Sequence, residues 1–378
     1  MPVAKLPTFA PQLIALFETR GAVRVDTPMI QPAAPFLDMA GEDLRRRIFL
    51  TESEAGASLC LRPEFTIPVC LQHIESATGT PRRYSYLGQV FRQRREGANE
   101  FYQAGIEDLG DRDVASADAR AISDAIASIQ LALPGRQLTV TLGDQSVFEA
   151  VVRALGLPTG WQKRLIHAFG NVNKLESLLG ELAEPQPLAP LSADVEAMLA
   201  ADDIDALADH VEETMLATGY LTNASRTPRE IAMRLAEKRT LARTRLTPHA
   251  LRVLGDFLTL DVPFAEAAAM LSGFADAAGL QLDGALARFD ARAAALANAG
   301  VDLGAIQYRA AFGRPLDYYT GLVFEVMVAG NPAVLAGGGR YDRMLTLLGA
   351  RSHIPAVGYS LWLDRIEAAL PRKDVETA

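Results

Sequence analysis

The sequence has little of what cross-links or metallates a small fold. Its 378 residues include 2 cysteines, Cys60 and Cys70, too few for a disulfide framework or a four-cysteine zinc site. The 5 histidines are scattered along the chain, and none has the spacing of metal ligands. The composition is therefore typical of a protein of the reducing cytoplasm, and it predicts neither a metal ion nor another cofactor.

Long apolar runs and a surplus of positive charge are also missing. No run of about 18 apolar residues occurs, so the sequence predicts no membrane span. The N-terminal residues MPVAKLPTFAPQ lack the apolar core of a signal peptide. Acidic residues (46) outnumber lysine and arginine (37), and the net charge of −9 mildly disfavours a dedicated nucleic-acid-binding protein.

Familiar catalytic signatures are absent as well. The chain contains no GxSxG nucleophile segment and no HExxH zinc motif. The run Gly337-Gly338-Gly339 permits close backbone approach or positive φ, but it lacks the GKS or GKT of a P-loop and the spacing of a dinucleotide fingerprint. The sequence therefore predicts a binding cleft rather than a recognisable hydrolase or nucleotide-binding loop.

What is present is a folded protein of mixed secondary structure. Hydrophobic residues make up 49% and charged residues 22%, which excludes a disordered chain or a coiled-coil rod, and the length favours two or three domains. Strand and helix patterns mix over residues 1–155 and again over 303–378, whereas 156–302 is mainly helical. We therefore predict an α+β body interrupted by an all-helical insertion, and short strands with helices on one side favour a largely antiparallel sheet.

Individual elements follow from periodicity and turn residues. Helical spacing predicts a helix over 114–132, and β-rich runs around a charged, glycine-containing loop predict a hairpin of strands 83–91 and 100–109. Ser146 and Glu149 have the spacing of a capping box at the start of a helix.

The segment LRPEFT is the first candidate site. Glu64 and Thr66 lie two residues apart, so in extended geometry they face the same side, where a carboxylate and a hydroxyl can hold an ammonium group. The alternative is structural: either side chain can satisfy free N–H groups at a helix start.

The hairpin supplies the second candidate. Gln103 and Glu107 share one face of the second strand, and Arg92 ends the first strand, where it can bind a carboxylate or phosphate. Glu107 is then a partner for Arg92 or for a ligand cation. The alternative is a cross-strand ion pair on a solvated face.

Two later segments add Arg314 and three tyrosines. Tyr318 and Tyr319 are adjacent, so on a regular strand only one of them lines a given face unless the backbone bulges. The alternative role is tyrosine packing in a turn. With Tyr341 after the glycine run, these residues suit a small zwitterion: carboxylates for the ammonium, arginine for the carboxyl and an aromatic wall for a ring.

These segments, in this order, resemble the catalytic core of histidyl-tRNA synthetase and its paralogues. LRPEFT at 61–66 is similar to the synthetase LRPEGT, and residues 91–107 are similar to the second class II motif and the FHQxGxE after it. RPLDYYTGLVFE at 314–325 resembles the histidine-specific RGLDYY segment. GGGRYDRMLTLLG at 337–349 and PAVGYSLWLDRI at 355–366 resemble the GGRYD segment and the third class II motif.

The resemblance covers most of the chain and implies a class II synthetase-like antiparallel sheet and self-association as a dimer. It also implies a histidine-binding site. The positions that match the family's histidine pocket are Glu64, Thr66, Arg92, Gln103, Glu107, Arg314, Tyr318, Tyr319 and Tyr341.

The departures concern the nucleotide and the tRNA. Phe65 replaces a synthetase glycine, and the loop after Arg92 is about three residues shorter than usual and lacks its later arginines. Arg365 is retained, but Trp362 replaces a glycine beside the expected adenine site, where an indole of roughly 150–250 Å² obstructs a nucleotide. The chain ends at Ala378, so we expect no anticodon-binding domain and no tRNA.

This pattern resembles the regulatory subunits of ATP phosphoribosyltransferase, synthetase-like paralogues in histidine biosynthesis. The resemblance implies a non-catalytic subunit that assembles with a short-form catalytic subunit in a hetero-octamer or larger complex, activates it and takes part in feedback inhibition by L-histidine. The alternatives are a truncated synthetase-like enzyme that activates an amino acid with ATP, and a structural dimer without a ligand.

Overall fold

The computed structural model describes residues 5–39, 41–95, 97–184, 190–218, 227–314 and 318–371, with only the backbone of Glu42 and Asp43. The chain divides into two compact units. The first contains Met1–Ala154, Phe169–Asn171 and Asp256–Ala378, and the second contains Leu155–Ala168 and Val172–Gly255.

The first unit holds the described strands and ten of the α-helices. Its strands are β1 (Val23–Arg24), β2 (Ile30–Pro32), β3 (Leu50–Glu52), β4 (Ser58–Leu61), β5 (Arg82–Phe91), β6 (Glu100–Leu109), β7 (Leu138–Asp144), β8 (Asp261–Pro263), β9 (Ile306–Arg309), β10 (Leu322–Val328), β11 (Val334–Arg340) and β12 (Ala356–Trp362). Its helices are α1 (Ala10–Thr19), α2 (Ala34–Met39), α3 (Glu42–Arg45), α4 (Thr66–Glu75), α5 (Val114–Ala132), α6 (Gln145–Ala154), α13 (Phe264–Ala278), α14 (Asp283–Asn298), α15 (Met344–Leu347) and α16 (Leu363–Ala368), with a 3-10 turn at Leu303–Ala305.

Nine of the strands form one sheet in the order β1-β5-β6-β12-β11-β10-β7-β9-β8. Neighbouring strands are antiparallel except for β1 with β5 and β7 with β9. The predicted hairpin is the long β5–β6 pair, in which Phe91 faces Glu100. β2, β4 and β3 form a separate three-stranded antiparallel sheet. The prediction of a largely antiparallel α+β body is confirmed.

The helix α5 shows how the sequence pattern builds the core. It spans the predicted residues 114–132 and begins after Asp113, whose Oδ1 accepts a hydrogen bond from the N–H of Ser116 at 3.1 Å. Its apolar stripe, which includes Ile122 and Ile129, is fully buried. Burial of that stripe holds α5 to the body.

The prediction of a capping box at Ser146 is wrong. Asp144, the last residue of β7, accepts hydrogen bonds through Oδ1 from the Ser146 N–H (2.8 Å) and Oγ (2.6 Å). Glu149 instead accepts from Arg153 and from the Gln145 amide. Because α6 begins directly at the end of the strand, the strand's terminal aspartate stands closer to the free N–H groups than Ser146 does.

The second unit consists of helices in its described residues. They are α7 (Thr159–His167), α8 (Val172–Ala183), α9 (Ala193–Ala200), α10 (Ile204–Ala217), α11 (Pro228–Arg243) and most of α12 (Pro248–Leu258). A small core of Val195, Leu207 and Ala232 joins α9, α10 and α11. A capping box of Thr227 and Glu230 starts α11.

The boundaries of the two compact units differ from the predicted domain boundaries. The predicted division at residues 156–302 stays a prediction. Residues 156–302 are mainly helical, as expected, but the part from residue 256 onward belongs to the first unit and includes the short strand β8. The helix α14 lies in this part of the chain, and its buried Arg292 pairs with Asp118 and Asp144 of the same unit. Within the described ranges, no helix combines the length and the apolar character that a bilayer crossing requires.

Candidate ligand-binding site

A pocket in the first unit opens between β6, β11 and β12 and the start of α4. The space between its lining atoms, including the part that is open solvent, amounts to about 430 Å³. Eight of the nine predicted site residues line it: Glu64, Thr66, Arg92, Gln103, Arg314, Tyr318, Tyr319 and Tyr341. The ninth, Glu107, lies directly behind this lining and bonds to two of its members.

Glu64 combines the two roles that the sequence left open. Its carboxylate accepts hydrogen bonds from the N–H groups of Thr66 (2.6 Å) and Ile67 (3.0 Å), so it satisfies the first free donors of α4. It also lines the pocket. Burial raises the pKa of Glu64 above its ordinary value, and the two N–H bonds and Arg92 oppose that shift.

Glu107 is held by two hydroxyl groups. Thr66 Oγ1 donates to its Oε1 at 2.7 Å, and the Tyr341 hydroxyl donates to its Oε2. The side chain is 1% exposed and forms no ion pair with Arg92, so the predicted pairing with Arg92 and the alternative of a solvated cross-strand ion pair are both wrong. Burial raises the pKa of Glu107 to about 8, although both hydroxyl bonds act in the opposite direction.

Arg92 reaches the same pocket from the end of the β5 strand. Its Nε donates to the carbonyl oxygen of Pro63 at 2.6 Å, which fixes the side chain. Within the described part of the chain, no carboxylate forms an ion pair with its guanidinium group. Burial lowers the pKa of Arg92 to about 10, while Glu64 favours the charged form. A positively charged group with free donors therefore faces the cavity.

Gln103 is a buried polar residue of the pocket lining. Its side chain is 0% exposed and lines the pocket, yet neither its amide nitrogen nor its amide oxygen has a hydrogen-bond partner among the described residues. A buried amide without a partner destabilises a fold by about 1–3 kcal/mol.

Both adjacent tyrosines line the pocket, in contrast to the expectation for a regular strand. Tyr318 and Tyr319 precede β10 and are not part of a strand, so their rings are not forced to opposite faces. Their ring centres lie 4.8 Å apart, and Tyr341 meets Tyr318 edge-on at 5.9 Å. Pro315–Asp317, earlier in the same segment, lie outside the described residues. The three rings form an aromatic wall.

Arg314 is packed into this wall. Its Nη1 donates to the Tyr319 hydroxyl at 2.6 Å and its Nε to Glu325 at 3.3 Å. A Cβ on Gly337 would lie 2.8 Å from the guanidinium carbon, and one on Gly339 would lie 2.9 Å from the Tyr319 ring. The glycine run therefore permits close approach of these side chains, and it forms part of β11, which ends at Arg340.

Trp362 occupies the end of the pocket. Its indole is 6% exposed, and the guanidinium carbons of Arg314 and Arg365 lie 5.5 and 5.0 Å from its ring. Arg365 also donates to the carbonyl oxygen of Val334 at 2.9 Å. The indole thus packs against both guanidinium groups.

Sequence reasoning missed several lining residues. Among them are Leu44, Gly358, Tyr359 and Ser360. Gly358 faces Glu107 across the β12–β6 pairing, and a Cβ on Gly358 would lie 1.7 Å from Glu107 Oε2. That requirement depends on strand pairing between distant segments, for which the sequence carries no local signal.

The site has the chemistry of a pocket for a small polar molecule. Within the described ranges, no group of three or more His, Cys, Asp or Glu side chains is placed to hold a metal ion. The carboxyl group of Glu64, the guanidinium groups of Arg92 and Arg314 and the aromatic wall all line this pocket.

Comparison with known proteins places the chain among named relatives. The family model described as histidyl-tRNA synthetase matches residues 2–232 and 232–366. An ATP phosphoribosyltransferase regulatory subunit of Rhizobium rhizogenes is 70% identical over 369 residues, which cover 98% of this chain and 99% of the relative. A regulatory subunit of the same name from Sinorhizobium medicae is 66% identical over 376 residues, or 99% and 100% of the two chains.

Solved structures show the same fold at low identity. A Bacillus halodurans protein described as an ATP phosphoribosyltransferase regulatory subunit/histidyl-tRNA synthetase matches with a TM-score of 0.66 and 20% identity, covering 98% of this chain and 82% of that one. The histidyl-tRNA synthetase of Nostoc matches with a TM-score of 0.62 and 15% identity, covering 97% of this chain and 75% of that one.

Proposed function

The chain belongs to the family of ATP phosphoribosyltransferase regulatory subunits, within the wider histidyl-tRNA synthetase family, and from that premise we propose that its pocket binds L-histidine as a feedback signal. The chain acts as the non-catalytic partner of a short-form catalytic subunit, activates it, and self-associates as a dimer in the complex. Histidine binding shifts the partner toward a less active state by differential affinity for two states.

The observation that carries the proposal is the unpartnered amide of Gln103, in a pocket whose charged groups are complementary to those of L-histidine. Glu64 provides a carboxylate for a cationic group, and Arg92 provides guanidinium donors for a carboxylate. Glu107 holds Thr66 and Tyr341 in place from behind the lining. The tyrosine wall provides a surface for a flat ring. Histidine has all three features in one small molecule.

The position of Trp362 supports regulation over catalysis. Amino-acid activation with ATP requires cationic groups on the phosphates during transfer. Here Arg314 and Arg365 lie against the indole, and Arg314 is also bonded to Glu325 and Tyr319. An enzyme that activates an amino acid remains the alternative that the experiment addresses.

The experiment is reconstitution with a short-form catalytic subunit. We expect the two proteins to co-elute, phosphoribosyl transfer to ATP to rise when the chain is added, and L-histidine to inhibit the complex. Failure to co-elute or to activate contradicts the regulatory role, and inhibition that is equal with and without the chain contradicts histidine sensing. Histidine-dependent exchange of pyrophosphate into ATP by the isolated chain would instead support the enzyme.

A further inference from the structure

A buried ionic network lies behind the pocket, on the helix α5. Asp118 of this helix is 0% exposed and accepts hydrogen bonds from two arginines: Arg292 Nε binds its Oδ2 and Arg340 Nε binds its Oδ1, each at 2.8 Å. Arg292 also pairs with Asp144. Removal of one member of such a network leaves a buried charge without its partner.

The network reaches the pocket through Arg340. Arg340 ends β11 and immediately precedes Tyr341, whose hydroxyl donates to Glu107. Its guanidinium group is held on both sides, because Nη1 also donates to Asp342 Oδ1 at 2.7 Å. Tyr341 therefore stands between two anchored residues.

A second connection holds the segment that carries Tyr318 and Tyr319. The N–H of Thr320 donates to the carbonyl oxygen of Arg340 at 2.8 Å, and the N–H of Asp342 donates to Thr320 Oγ1 at 3.0 Å. The three tyrosines of the aromatic wall are thus attached to one short stretch of backbone, and Asp118 neutralises the arginine in that stretch.

We propose that Asp118, acting through Arg340, is a positioning residue that holds the three pocket tyrosines in the geometry that binds the effector. This inference rests on the proposed function of the pocket in binding histidine. A pocket whose walls are already ordered binds more tightly than one that must order them on binding. Asp118 itself lies outside the pocket lining.

The same helix supplies a matched control. Asp124 is 3% exposed and also pairs with two arginines, Arg83 at 2.5 Å and Arg20 at 3.4 Å. Among the described residues, Arg83 also pairs with Asp108 and donates to the carbonyl oxygen of Arg20. None of these groups lines the pocket. Asp124 is linked to the lining residue Tyr359 through Ser128, but that link uses the backbone carbonyl oxygen of Asp124, which Asp124→Asn retains.

The test compares Asp118→Asn with Asp124→Asn in the full chain. We expect both variants to lose stability in urea unfolding. In calorimetric titrations, L-histidine should bind the Asp118→Asn chain about tenfold more weakly than the parent chain, because a tenfold loss of affinity corresponds to one displaced polar contact. It should bind the Asp124→Asn chain as tightly as the parent chain. Equal affinity in the two variants would overturn the inference. If Asp118→Asn does not fold, Thr320→Val removes the Oγ1 acceptor and carries the same expectation.

A second readout separates this inference from the proposed function. In a Trp161→Phe background, Trp362 reports on the pocket by its fluorescence, since the chain has 2 tryptophans. Asp118→Asn should shift the emission of Trp362 without any ligand, and Asp124→Asn should not; identical spectra would overturn the positioning role. A parent chain that does not bind histidine would overturn the proposed function instead, whatever the spectra show.

Discussion

The substitution Gln103→Leu tests the pocket most sharply, because we expect it to raise stability while it weakens histidine binding. Leucine occupies a similar volume to glutamine and carries no polar atoms. In the described residues, the buried amide of Gln103 has no partner. Removing it should relieve a penalty of about 1–3 kcal/mol in the free energy of unfolding.

Histidine should change which of the two chains is more stable. Histidine at about 100 times its dissociation constant should stabilise the parent chain by about 2.7 kcal/mol through mass action. The Gln103→Leu chain should gain much less, because it lacks the amide donor and acceptor. Urea unfolding with and without histidine measures both effects in one experiment.

Gln72→Leu is the matched control, since Gln72 is an exposed residue on α4. We expect it to change stability by less than about 0.5 kcal/mol and to leave the histidine effect intact. The reasoning is refuted if Gln103→Leu destabilises the ligand-free chain and histidine still stabilises it as much as the parent.

Burial raises the pKa of Glu107 from 4.5 to about 8, so the folded chain keeps a proton that the unfolded chain has lost, and stability falls as the pH rises through this window. Glu107 contributes up to ~5 kcal/mol to this pH dependence of the free energy of unfolding. Glu107→Gln should remove that pH dependence from unfolding free energies measured between about pH 4 and about pH 9. An unchanged dependence on pH would show that the Glu107 carboxyl group titrates normally. Gly358→Ala places a Cβ 1.7 Å from Glu107 Oε2 and should destabilise the chain by about 1–3 kcal/mol or more in urea unfolding. Gly273→Ala, in α13 with nothing within 4 Å, should instead stabilise it by about 0.5–1 kcal/mol, and similar losses in both variants would count against the close contact. In a Trp161→Phe chain, saturating histidine should change the emission of Trp362, which lines the pocket. A spectrum that histidine does not alter would speak against binding there.

The fold was predictable where local pattern and tertiary packing agree. The helix α5 begins and ends at the predicted residues because Asp113 caps it and its apolar stripe faces the body. The β5–β6 pair was equally visible, since the two β-rich runs flank a short charged loop. The extension of β11 through its glycines was not, because glycine lowers strand propensity and only the surrounding sheet holds those residues extended.

The site was predictable in its residues more than in its connections. Glu64 and Thr66 both line the pocket, but Thr66 begins a helix and does not continue the extended geometry that the sequence analysis assumed. Where α4 begins decides that Glu64 binds the Thr66 N–H and that the Thr66 hydroxyl binds Glu107. The contact of Glu107 with Tyr341 depends on the placement of Gly358 beside it, across a strand pair that the chain order does not reveal. Sequence patterns therefore identify which chemistry is available, while long-range pairing decides which groups meet.

The central claim is that this pocket is the histidine sensor of the complex, and a dose–response with Arg92→Ala tests it most directly. Arg92 lines the pocket and is held by the Pro63 carbonyl. The account predicts that the complex with this variant keeps its activation by the regulatory chain but needs at least about tenfold more histidine for half-inhibition. Unchanged half-inhibition in an intact, activated complex would contradict the claim.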